Sequence, residues 1–159
     1  DEIVLSGYTK HKDKELKAVN RADASEDLKD ESDKQAEKQK EKETKPVVER
    51  VAKILGDMVK EVRVSTRLSD SPSCVVADSS DPTFQMQAML RAMGNADLPE
   101  SKPILELNPD HSMVKAIKDA SDEKAADLAH VLLDQALLLE GAELKDKADF
   151  VKRLNRLLG

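Results

Sequence analysis

The sequence has 159 residues, with 26 Lys or Arg against 32 Asp or Glu, a formal charge of −6 and 36% of positions charged. A chain of this size hides roughly 70% of its unfolded surface, enough for one domain with a true core; with only Tyr8, Phe84 and Phe150 as aromatics, that core is expected to be aliphatic. A spanning helix is excluded because no apolar run approaches ~20 residues, a nucleic-acid partner is disfavoured by interspersed charge of net negative sign, and Cys74, the one cysteine, rules out an internal disulfide framework or a Cys-rich zinc site.

The chain opens with Asp1 and has no basic-then-apolar leader, so it is expected to be an excised piece of a longer, cytoplasmic protein. Residues 1–23 hold one short apolar stretch, Ile3-Val4-Leu5, and a Lys-rich segment, too little to close a core; they read as the end of a preceding domain. Residues 24–45 form a connector. Within it, 14 of the 20 positions from Glu26 to Lys45 are charged, and Glu26 with Lys29, Asp30 with Lys34 and Glu41 with Lys45 are spaced to support a solvated helix. Plain disorder is the alternative by composition.

At Pro46 the texture changes, and a domain over 46–159 is predicted. Val47, Val48, Val51, Ala52, Ile54 and Leu55 recur at helical spacing, with Pro46 in the first turn and Gly56 as a left-handed stop. Val62, Val64, Thr66 and Leu68 alternate as a half-buried strand; Cys74–Ala77 is a second strand, expected to return antiparallel after the turn-rich 69–73. A helix over 82–93 closed by Gly94 follows, then a third strand over 104–107. Asn108-Pro109 suggests a capped helix start, with His111 in the first turn. Two helices end the chain, over 122–140 and 147–158, with Gly141 between them and Asp146 as a cap. The fold class expected is α+β: a small three-stranded, mainly antiparallel sheet packed with helices and ending in a helical hairpin.

No phosphate loop, dinucleotide fingerprint, zinc-protease or nucleophile-elbow motif is present. His11, His111 and His130 lie in three different segments, so no metal site is expected, and Cys74 at a strand start reads as a small buried hydrophobe. Two apolar surfaces stand out instead. On the helix over 122–140, Leu128, Leu139, Leu132, Ala125, Ala136, Ala129, Leu133, Ala126 and Leu137 fill an arc of roughly 180°, wider than the ~100° that one-sided packing needs. The next helix adds Phe150, Val151, Leu154, Leu157 and Leu158. A second copy of the hairpin, or other helices of the same chain, could cover the excess. The other surface is Met86, Met89, Leu90 and Met93, a stripe at helical spacing, with Phe84 and Ala88 on another side of the same helix. Methionine is flexible and polarisable, which suits recognition of many shapes; core packing is the competing explanation.

The succession Arg67-Leu68-Ser69-Asp70-Ser71-Pro72, the Met-rich helix, Leu105-Glu106-Leu107-Asn108-Pro109-Asp110-His111, Leu132-Leu133-Asp134-Gln135-Ala136-Leu137 and Arg153-Leu154-Asn155-Arg156-Leu157-Leu158 resembles the C-terminal domain of the Hsp90 chaperones, in their bacterial form. The resemblance covers 46–159, with 1–23 similar to the end of that family's middle domain. It implies a stress-response chaperone that is homodimeric and ATP-driven, in which this domain joins two protomers and contacts partly unfolded client proteins. Dimer contacts then fall on Leu132, Leu133, Leu137, Phe150, Leu154, Leu157 and Leu158, and client contacts on Phe84, Met86, Met89, Leu90 and Met93. The resemblance places ATP and magnesium in the full-length protein only, so this stretch is expected to carry no cofactor, no catalytic residue and no enzyme activity. A purely structural homodimerisation scaffold without client contact is the alternative.

Overall fold

From Glu31 onward the charged segment and the apolar periodicity that follows it form one continuous helix, α1 (Glu31–Leu55), with Pro46 inside it rather than at its start. The computed structural model describes residues 10–12, 14–15, 31–65, 67–78, 81–93 and 101–159; the Ile3–Leu5 stretch, Tyr8, Thr66 and the helix-closing Gly94 lie outside these. Ahead of α1, Lys10–His11 (β1) and Lys14–Glu15 (β2) pair as a minimal antiparallel ribbon. Val47, Val51 and Leu55 bury one stripe of α1, and Gly56 takes a positive φ of 49° as the helix tightens into a 3-10 turn over Gly56–Met58.

The sheet departs from the expected hairpin. β3 (Glu61–Val64) and β4 (Ser73–Val76) do not pair; β5 (Ile104–Leu107) lies between them, parallel to β3 and antiparallel to β4. All four residues of β5 are buried, so the most fully covered strand takes the centre. The connection from β3 to β4 is too long for a tight two-residue turn and arcs around the end of β5 instead. There Asn108 organises the loop: its side-chain amide donates to the Ser69 and Ser71 carbonyls at 3.1 Å each, and its oxygen accepts from the Asp110 backbone. Asn108 is therefore not a helix cap. The cap is His111, whose Nδ1 accepts from the Met113 backbone N–H, and α3 runs over Ser112–Ile117.

α4 (Asp122–Leu139) starts at Ser121, whose hydroxyl accepts from the Lys124 N–H, and packs on β4 and α1 through Ala125, Leu128, Ala129, Leu132, Leu133 and Ala136. Gly141 turns the chain with φ of 75°, and Asp146 caps α5 (Lys147–Leu158). One guanidinium secures the corner between α3 and α4: Arg50 of α1 donates to the carbonyls of Ile117 and Ala120 and to the Asp122 carboxylate at 2.7–2.8 Å. It thereby satisfies carbonyls that the end of a helix leaves without partners. The core is aliphatic, with Phe84 packed at its margin. The architecture is α+β.

Candidate functional site

The Met-rich segment is α2 (Phe84–Ala92). Its first turn is held from one side: the Thr83 hydroxyl accepts from the Met86 N–H, and the buried Gln87 amide donates to the Pro82 carbonyl at 2.8 Å. Phe84 packs against the core margin and Leu90 is half-buried. Met86, Met89 and Met93 stand out of the core, 36%, 43% and 68% exposed. The stripe read from the sequence is thus largely a surface, anchored by Thr83, Phe84 and Gln87; the side chain of Ala88 lies outside the described residues.

In the hairpin the predicted contact residues separate into two sets. Leu132 and Leu133 are 0% and 1% exposed, enclosed by this chain's own core, and the Leu132 carbonyl accepts from the buried Ser73 hydroxyl at 2.7 Å. Leu137, Phe150, Leu154 and Leu157 are half-buried, and Leu158 is exposed. Alongside Leu158, the exposed large apolar side chains of the hairpin are Leu138, Leu139 and Val151. α5 buries no residue completely. It is held to α4 by charge: Arg156 makes a two-pronged contact with the buried Asp127 at 2.6 and 2.7 Å, and Arg153 lies 4.0 Å from the same carboxylate. The Arg156 hydrogen bonds outweigh burial and hold the Asp127 carboxyl below its ordinary range.

Two polar features were not visible in the sequence. Glu106, on the central strand, is buried and accepts from Arg63, Arg67 and the Ser65 hydroxyl, with the Cys74 thiol 3.5 Å away. Burial opposes its charge, but the Arg63 hydrogen bond and the Arg67 and Arg63 charges prevail and keep its pKa low. The same burial, with the Glu106 charge beside it, pushes the Cys74 thiol up to about 12, leaving it a poor nucleophile. The second feature is a cleft of about 510 Å³ between the root of α2, the C-terminal half of α4, the 141–146 turn and α5, floored by Phe84, Leu133, Leu137 and Leu144 and edged by Asp134 and Arg153. Among the described residues, no group of His, Cys, Asp and Glu is arranged to hold a metal ion, and no helix is long and apolar enough to cross a membrane.

The family model described as Hsp90 protein matches residues 1–159. The chain is 51% identical over 159 residues to the chaperone protein HtpG of Treponema denticola, covering 99% of this chain and 25% of that protein. It is 49% identical to the HtpG of Treponema pallidum with the same coverage, and 51% identical over 161 residues to that of Wolinella succinogenes. The chain spans about a quarter of the length of these curated relatives. These matches correct the expectation that enzyme activity has no place here, since the whole chain falls within a family of ATPases.

Proposed function

The chain belongs to the Hsp90 family, and from that premise we propose that it is the dimerisation and client-contact part of a cytoplasmic, stress-response Hsp90-type chaperone. In this reading residues 1–23 end the preceding domain, 24–45 connect, and 46–159 form the working domain; ATP and magnesium enter through the longer protein. The observation that carries it is the methionine stripe. Met86, Met89 and Met93 form an adaptable apolar surface on a helix whose other side is fixed, the arrangement suited to holding partly unfolded proteins without reading their sequence. Replacing the three with serine is expected to weaken suppression of a heat-unfolded client's aggregation several-fold, read by light scattering, while circular dichroism and thermal midpoint hold. Unchanged suppression would leave the structural scaffold as the better reading.

Homodimerisation rests on the outer face of the hairpin. Leu138, Leu139, Val151 and Leu158 expose apolar surface that packing within one chain leaves uncovered, with Phe150, Leu154, Leu157 and Leu137 half-buried beneath. Two copies of α4 and α5 form a symmetric four-helix bundle over this face. Leu132 and Leu133 support it from inside the core. Val151→Asp together with Leu158→Asp is expected to halve the mass in sedimentation equilibrium without unfolding the chain, because both side chains are exposed in the monomer. Persistence of the dimer mass would remove this face from consideration.

A further inference from the structure

The cleft at the root of α2 has a chemistry of its own. Its volume of about 510 Å³ falls in the range of ~300–1,000 Å³ usual for ligand pockets. The floor is apolar, from Phe84, Leu133, Leu137 and Leu144, and Phe84 continues directly into the helix that bears the methionine stripe. The edge is acidic: Asp134, Glu143, Asp146 and Asp149 face it, against Lys145 and Arg153 as cations.

Most of that edge is already engaged. Asp146 caps α5 by accepting from the Asp149 N–H, Glu143 lies 4.0 Å from Lys147, and Arg153 pairs with Asp149 at 2.5 Å. Asp134 differs. No hydrogen bond or ion pair within 4 Å reaches its carboxyl among the described residues, although it is half-buried on the wall of the cleft. Burial accordingly pushes its pKa above the ordinary value; the charges of Arg153 and His130 oppose the rise and those of Asp149 and Asp146 add to it.

We propose that this cleft seats a basic residue of an extended, incompletely folded client segment, with its aliphatic stem on Phe84, Leu137 and Leu144 and its cationic head at Asp134. The inference rests on the client-contact reading and sharpens it by naming a preferred client chemistry: Arg or Lys beside a bulky apolar residue. Long basic side chains bury an apolar stem while keeping the head at a polar edge, which matches an apolar floor with a carboxylate at its margin. The bulky neighbour then lies on the same apolar floor, toward Met58 and Pro103. An acidic or purely apolar segment leaves Asp134 without a counterion in a half-buried place and is disfavoured.

The test uses two labelled, unstructured peptides, one with a central arginine between leucine and phenylalanine, the other with citrulline in its place, which retains the shape and drops the charge. Fluorescence anisotropy on the full 159-residue chain is expected to give about tenfold tighter binding of the arginine peptide, the scale of one favourable charge contact. In Asp134→Asn that ratio is expected to fall towards one through weaker binding of the arginine peptide alone. Asp119→Asn, which removes an exposed carboxyl between α3 and α4, controls for net charge and is expected to preserve the ratio. A ratio unchanged by Asp134→Asn, or the absence of saturable binding by either peptide, overturns the proposal. Failure of the client-contact reading has a different signature, namely aggregation suppression indifferent to serine at Met86, Met89 and Met93.

Discussion

Truncating Glu106 to alanine is expected to cost about 3 kcal/mol of folding stability, the lower end of what breaking a buried ion pair does, read as a shift of the urea midpoint at constant slope. The carboxylate lies on the central strand and is 3% exposed, and it receives the Nε groups of Arg63 and Arg67 at 3.0 and 3.1 Å. Removing it leaves two guanidiniums turned toward a cavity in the sheet. They are partly exposed and can rehydrate, which places the estimate at the low end. Against a total stability of ~5–15 kcal/mol for a domain, the loss is severe. Its pH dependence has a definite sign. Because the folded carboxyl titrates below the unfolded one, its contribution is complete above the unfolded value of about 4.3 and disappears as pH falls through the folded value. The stability gap between the native chain and Glu106→Gln is therefore expected to close on acidification below about pH 4. A gap independent of pH would show that Glu106 acts by shape alone.

Leu132→Ala is expected to lower stability by about 2–5 kcal/mol, the range for a buried leucine truncated in a packed core, while leaving the association state of the folded protein unchanged. Leu132 is fully enclosed where α4 meets β4, next to the Ser73 hydroxyl that anchors its carbonyl. The outcome separates two roles that one helix carries on adjoining faces. Lost association with unchanged unfolding would return Leu132 to the interface. The contrast with Val151 and Leu158, whose substitution is expected to do the reverse, gives the pair of experiments its force.

Leu132 also marks where sequence reading reaches its limit. Periodicity located α4 and α5 closely, and the Asp146 cap was legible because a capping residue must stand next to the turn it serves. An apolar arc of 180° does not say which half faces the chain's own sheet; β4 and the core enclose Leu132 and Leu133, while Leu139 on the same arc is 74% exposed. The parallel pairing of β3 with β5 was invisible for a related reason: pairing across 43 positions depends on the path of the chain, not on either strand's pattern. Asn108-Pro109 suits a helix cap and a loop bridge equally in sequence; the carbonyls of Ser69 and Ser71 decide between them. Glu106 gave no signal, being one acid in an apolar run whose two arginines lie some 40 positions away.

The continuity of α1 has a mechanical consequence. A 25-residue helix is ~37 Å long at ~1.5 Å per residue, and its second half is locked into the sheet by Val47, Val51 and Leu55 and into the α3–α4 corner by Arg50. The facing of the helix near Glu31 is therefore set relative to the sheet by the helical period alone. Flexure behaves differently: Pro46 lacks the N–H that would bond to the Lys42 carbonyl, so compliance concentrates there. The length of the helix in residues therefore fixes the angular phase between its two ends. Inserting a single residue ahead of Pro46 would turn everything upstream by about 100° relative to the sheet, whereas four would restore the original facing to within about 40°.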